Sequence, residues 1–185
     1  MNGATKDWIE VFTWAVGVVG ALAGLLNLAR ETRQSRRQRS DELRWRKASG
    51  ANDMLNSFYA DPVFRNAMLM LDWDGRPFQM DENRTITITR EDIWAALARP
   101  PAPFDDKNLF IRTAMDRMFE AFDRIGHAIK IEVMADRDIT YALVYYVGVL
   151  AQNRDVVQKY MLDLGFKEAL TYFRKHQEWE RLGQG

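Results

Sequence analysis

A run of nineteen residues without a single charge, Val11 to Ala29 (VFTWAVGVVGALAGLLNLA), stands directly before a string of arginines. At about 1.5 Å per residue, a helix of roughly twenty residues spans about 30 Å, the thickness of the hydrocarbon layer of a bilayer. A helix packed on a soluble core rarely needs so long an uncharged stretch, and Trp8 and Ile9 extend it further. The pattern predicts one transmembrane helix over residues 8–29 behind a short external N-terminus, residues 1–7. The rival is a cleaved signal peptide, because Ala21-Leu22-Ala23 has the small-x-small look of a cleavage site. Against it, Lys6 is offset by Asp7 and Glu10, the run is long for such a leader, and dense arginine just downstream resists translocation. By the positive-inside rule the arginine side stays in the cytoplasm, so the N-terminus faces out and the larger part of the chain faces in.

The predicted span is rich in small residues. Gly20 and Gly24 form a G-x-x-x-G pair, and Gly17 with Ala21 forms a second small-x-x-x-small pair beside it. Small side chains let helix backbones approach closely in lipid, where no hydrophobic force draws helices together, so the pattern predicts a homo-oligomer. Residues 30–47 follow as a basic juxtamembrane helix. Arg30, Arg33, Arg36, Arg37, Arg39, Arg44, Arg46 and Lys47 stand there against Glu31, Asp41 and Glu42, a local excess of five positive charges. The segment has no Gly or Pro and consists largely of good helix formers, so the membrane helix is expected to run on through it. It cannot bury a core face. Its expected partner is the anionic lipid surface, where each basic residue contributes on the order of 1 kcal/mol. An arginine-lined vestibule in a ring of copies and RNA phosphate binding are two further readings. For the last, Trp45 is the one aromatic interleaved with the basic residues.

Net charge over the 185 residues is zero, so the remainder is acidic by the amount that the stalk is basic. Mean hydropathy is negative despite the predicted span, which makes residues 48–185 an ordinary water-facing helical domain, expected in the cytoplasm. The absence of cysteine excludes a disulfide framework and thiolate metal sites. Ala48, Ala51, Leu55 and Phe58 follow helical spacing. Asp61-Pro62 reads as an N-cap with proline at the first helical position, opening a short helix over Val63 to Leu71. Residues 76–89 break the helical pattern. Thr85 to Thr89 alternates and is β-branched throughout, and Arg76 to Met80 is its expected partner in a β-ribbon. Thr89 and Asp92 predict a capping box for a helix to Arg99, ended by Pro100, Pro101 and Pro103. The strongest amphipathic stretch runs from Asp106 to Val133, its apolar stripe made of Ile111, Met115, Met118, Phe122, Ile125 and Ile129. Ile139 to Ala151 carries no charge and is too short to span a bilayer, so it reads as a buried central helix. Helices over Arg154 to Leu164 and Phe166 to Arg181 follow, parted at Gly165, an expected C-terminal cap.

Signals for catalysis are thin. The two histidines are His127 and His176. Glu120, Arg124 and His127 share a helix face and read as solvated, and Arg174-Lys175-His176 reads as surface. No HExxH, P-loop, GxSxG or acidic metal cluster occurs, so no catalytic residue, metal or cofactor is predicted.

Two resemblances add to this. The segment Arg154-Asp155-Val156-Val157-Gln158-Lys159 resembles the motif of the all-helical HEPN nucleases, an arginine and a polar residue followed four to six positions later by a histidine. Lys159 stands where that histidine would be. General acid–base chemistry near neutral pH needs a group that titrates there, so the resemblance implies a degenerate, non-catalytic HEPN-like domain. The layout as a whole, one N-terminal span, a basic helix and a divergent helical bundle, is similar to the membrane-anchored accessory proteins of type VI-B CRISPR systems. It is similar also to other small single-span bacterial proteins. That likeness implies ring-like oligomers that form a pore in the inner membrane and strengthen antiviral defence by depolarising the cell, with contact to RNA or a CRISPR effector. The expected fold is therefore mainly α: a single N-terminal transmembrane helix, a basic cytoplasmic helix, and a helical bundle carrying a small β-hairpin. The leading functional expectation is an oligomeric membrane effector. The alternatives are a membrane-tethered helical adaptor without pore activity and a divergent HEPN ribonuclease.

Overall fold

The structure, a computed structural model, describes the backbone of residues 3–81, 84–98 and 105–177, and the side chains of those residues from 27 onward with the exception of residue 29. Among the described residues there are seven helices and one hairpin: α1 (Gly3–Ala60), α2 (Pro62–Asp72), β1 (Arg76–Asp81), β2 (Arg84–Ile88), α3 (Arg90–Ala98), α4 (Asp106–Lys130), α5 (Asp136–Ala151), α6 (Arg154–Leu164) and α7 (Lys167–His176). The chain packs as two units, Met1–Arg46 and Lys47–Gly185.

The first unit is the greater part of α1, which is unbroken over 58 residues. The absence of Gly and Pro between Arg30 and Ser49 agrees with that continuity, since either residue would weaken the helix there. From Arg30 to Arg46 every side chain is exposed. Among the described residues the arginines of this stretch form one ion pair, Arg46 with Glu42 at 2.6 Å one turn away. Within the predicted span the side chains of residues 8–26, including Gly17, Gly20, Ala21 and Gly24, and that of residue 29 lie outside the described residues. Among those described, no helix is long and apolar enough to cross a membrane.

The second unit is a helical bundle around α4. The predicted stripe is its core. Ile111, Met115, Met118, Phe122 and Ile125 are wholly buried, each burial contributing roughly 1.5–3 kcal/mol. Ile129 packs at the margin, and Phe119, absent from the predicted stripe, is also fully buried. Around α4 lie α7, α2 and α3. The end of α1 contributes Ala51, Leu55 and Phe58, and the Phe58 ring stacks on Phe64 of α2 at 5.5 Å. Ala48, expected on that face, is exposed.

Local chemistry fixes most boundaries. Asp61 caps α2 through its carboxylate, which accepts from Val63 N at 2.8 Å, and Pro62 follows at the first helical position. Thr89 and Asp92 make the reciprocal capping box of α3, Asp92 Oδ2 accepting from Thr89 N and Thr89 Oγ1 accepting from Asp92 N. Gly165 ends α6 at φ 81°, in the left-handed region that only glycine enters without cost. β1 and β2 pair antiparallel with Phe78 opposite Ile86 and Arg76 opposite Ile88. Phe78 and Ile88 are buried, which is how so small a ribbon is held.

Three expectations need correction. α4 stops at Lys130, not Val133, because Glu132 takes φ 60° and the chain turns there. α5 begins three residues early, at Asp136, with Asp136 and Asp138 in its first turn where carboxylates suit the helix dipole. It is also not buried all round: Tyr141 is 92 % exposed and Tyr145 about half, so one side of its uncharged stretch faces solvent. The helix expected over Phe166 to Arg181 is described as α7 from Lys167 to His176. Its predicted end, with the three prolines after α3, falls outside the described residues.

Candidate functional site

α7 brings together the groups that sequence reasoning left apart. Phe166, at its N-cap position, makes no side-chain cap. Asp123 of α4 supplies one from a distance: its Oδ1 accepts from Glu168 N at 2.8 Å and from Ala169 N at 3.0 Å. One turn further along α4, Gly126 allows α7 to come close. A Cβ added there would lie 2.6 Å from the Glu168 carbonyl oxygen.

Beside this contact the two helices and the start of α5 enclose a cleft of about 410 Å³. Its floor is Gly126, Ile129 and Tyr172, and Lys130, Asp136, Lys167, Glu168, Thr171 and Lys175 stand around it. Lys130 Nζ donates to Glu168 Oε1, and Lys175 Nζ donates to Asp136 Oδ2.

Asp136 is the hub of a polar network that reaches into the core. Its Oδ1 lies 2.8 Å from Thr140 Oγ1 and 3.0 Å from His176 Nε2. Tyr172 donates its hydroxyl to Thr140 Oγ1 at 3.3 Å, and its ring lies 4.6 Å from the His176 ring. Thr140 and His176 are each 1 % exposed. Burial raises the Asp136 carboxyl, but the hydrogen bonds from Lys175 and Thr140, with the charges of His176 and Lys175, outweigh it and hold the group below its ordinary value. Burial pushes His176 below the usual imidazole value. Asp136 pulls it back up by charge and hydrogen bond, and Lys175 pushes it down. Burial also drives Tyr172 up to about 12.

His176 was expected at the surface beside Arg174 and Lys175, and it is buried. The helical period held the correct signal. Ala169, Tyr172, Phe173 and His176 fall at i, i+3, i+4 and i+7, one inward face of α7, and all four are buried. A histidine whose folded value is depressed supports the fold in its neutral form. Its contribution is present above the unfolded value near 6.5 and is lost as pH falls through the lowered folded value. The full chain is therefore expected to lose unfolding temperature as pH drops from about 7 to 5, and His176→Gln to flatten that slope. Tryptophan fluorescence melts across that range measure it; an unchanged slope in the variant assigns the loss elsewhere.

The other predicted site residues lie apart from this cleft. Arg154 and Asp155 open α6, both solvent-exposed, with Arg154 Nε at 3.5 Å from Asp155 Oδ1, and Lys159 is exposed further along the same helix. The two histidines belong to α4 and α7, not to α6. Glu120, Arg124 and His127 are exposed along α4, as expected of a solvated face. Arg30, Arg33, Arg36, Arg37, Arg39, Arg44 and Arg46 are exposed along α1, and Lys47 is half-buried. Among the described residues no three His, Asp or Glu side chains could hold a metal ion. A second, wider cleft of about 660 Å³ runs past Asp61, Asp116, Arg117 and Glu120. There Arg117 bridges Asp61 and Glu120, and Tyr160 donates to Asp116 at 2.6 Å.

The chain matches no family model, no curated protein and no solved structure.

Proposed function

We propose that this chain is an oligomeric single-pass effector of the bacterial inner membrane, anchored through residues 8–29 and self-associating along Gly17, Gly20, Ala21 and Gly24. One observation carries the reading: the charge-free segment and the arginine segment belong to a single unbroken helix, α1. A continuous helix satisfies its own backbone groups, as lipid requires, and can pass from hydrocarbon into the headgroup layer without a break. The arginines from Arg30 onward are exposed and, up to Arg44, make no ion pair among the described residues, which leaves them free for anionic headgroups. The N-terminus then faces out and the helical unit lies in the cytoplasm. The likeness to type VI-B accessory proteins extends the proposal to a ring that forms a pore and depolarises the cell in antiviral defence, and to contact with RNA or a CRISPR effector. One helix per subunit can line a pore only in a ring.

The full chain is expected to float with carbonate-washed membranes on a density gradient. In mild detergent it is expected to give a ring of six or more copies by mass photometry, and Gly20→Ile with Gly24→Ile to reduce that number. A monomer or dimer rules out the ring. Release of the chain by carbonate rules out the anchor.

A further inference from the structure

We infer that the cleft between α4 and α7 binds a small amphipathic anion, one with a phosphate or carboxylate head on a flat apolar body. The inference does not rest on the membrane reading, because every residue of the cleft lies in the second unit.

Charge gives the sign of the ligand. Three ammonium groups, from Lys130, Lys167 and Lys175, meet two carboxylates at the rim. Glu168 is taken by Lys130 and Asp136 by Lys175, and Asp136 is held further by Thr140 and His176. Lys167 forms no ion pair among the described residues, so the one uncompensated charge of the cleft is its ammonium. The paired lysines are themselves exposed, whereas their carboxylate partners, Glu168 and Asp136, are largely buried. An ammonium carries three N–H donors, so Lys130 and Lys175 can meet an incoming anion while still bonded to their carboxylates. The dipole of α7 does not supply the attraction, since Asp123 already accepts from Glu168 N and Ala169 N.

Shape gives the rest of the ligand. The cleft has the volume of a small-molecule site, typically about 300–1,000 Å³, and far exceeds a bare oxyanion. Its floor is mainly apolar, Ile129 and the Tyr172 ring, beside the point where Gly126 meets the α7 backbone. A flat body lies against that floor with its head toward Lys167 and past Thr171, whose hydroxyl donates to the Lys167 carbonyl oxygen at 3.0 Å.

Isothermal titration of the full chain in mild non-ionic detergent tests this with phenyl phosphate, benzoate, AMP and inorganic phosphate. Phenyl phosphate or benzoate is expected to saturate with a Kd of about 1 mM or tighter, and the tighter of the two names the head. AMP binding as well as phenyl phosphate points to a nucleotide body. Inorganic phosphate is expected to bind at least about tenfold more weakly. Lys167→Glu should weaken the aryl anion at least about tenfold, and Thr171→Trp, which fills the cleft, should abolish binding. Both positions are exposed, and an unchanged unfolding midpoint shows that each variant folds. Lys167→Ala serves should the reversed charge disturb α7. The inference is overturned if neither aryl anion saturates by about 10 mM, if both variants bind as the parent does, or if inorganic phosphate binds as tightly as phenyl phosphate.

Discussion

Gly126→Ala is expected to destabilise the helical unit by about 2 kcal/mol, against the direction in which glycine-to-alanine changes within helices ordinarily act. At an open helical position the change would stabilise by roughly 0.5–1 kcal/mol, because glycine loses more backbone freedom on folding. Gly126 is not open. The new Cβ would lie 2.6 Å from the Glu168 carbonyl oxygen and 2.9 Å from its carbon. Both are backbone atoms, so no side-chain rotation relieves the clash, and α7 itself must move. Overpacking of this kind costs typically about 1–3 kcal/mol and outweighs the gain in propensity. For a unit of this size the loss amounts to about 4–8 °C in unfolding temperature, readable from tryptophan fluorescence of the full chain. Gly126→Val should cost more. A melt raised by Gly126→Ala would mean that the two helices do not meet as described. Gly50, which has nothing within 4 Å of its Cβ position, provides the contrast: Gly50→Ala is expected to be neutral or stabilising.

Asp136→Ala carries the second large effect, a loss of about 1–3 kcal/mol. It removes the shared acceptor of Thr140, Lys175 and His176 at once. Lys175 is exposed and can return to water. Thr140 keeps the Asp136 backbone carbonyl as acceptor at 2.8 Å, so the loss falls on buried His176, and a hydrogen bond lost by a buried polar group costs roughly 1–3 kcal/mol. Asp136→Asn keeps an oxygen in place but loses the charge that Lys175 meets, so it should cost less than alanine. Urea unfolding of the full chain separates the three proteins. Equal stability of Asp136→Ala and the parent would show that the network contributes nothing to the fold. The pair Asp136→Ala and His176→Gln should be far from additive, because the two groups act through the same bond.

How much could be foreseen depended on whether a feature was local. Asp61-Pro62, the Thr89–Asp92 box, the β-branched run before Thr89 and the glycine at 165 each fix structure within a few residues, and the structure has each of them. The α4 stripe was equally plain, because a long amphipathic helix repeats its signal over several turns. The candidate cleft was hidden because it is made of pairs distant in sequence. Asp123 with Glu168, Lys130 with Glu168, and Asp136 with His176 are separated by about forty residues. Nothing in the spacing of a lone aspartate shows that it caps another helix. Gly126, in the middle of a strong helix, was the one local hint, since such a glycine commonly marks close backbone approach. His176 reads as surface from its charged neighbours Arg174 and Lys175, whereas its helical phase with Ala169, Tyr172 and Phe173 places it inside. The open side of α5 is hidden in the sequence, because an uncharged stretch reads as buried even when tyrosines form its solvent face.

The borrowed cap on α7 bears on how the bundle assembles. A helix whose first turn is stabilised by its own preceding residue can form early and alone. α7 lacks that residue and is only ten residues long, too short to persist in water without help. Its nucleation depends on a carboxylate forty-five positions upstream, so ordering α7 and docking it on α4 become one event. Synthesis from the N-terminal end favours that sequence, since α4 is complete and its aspartate waiting when α7 emerges. The cleft between them accordingly comes into being only when α7 docks on α4.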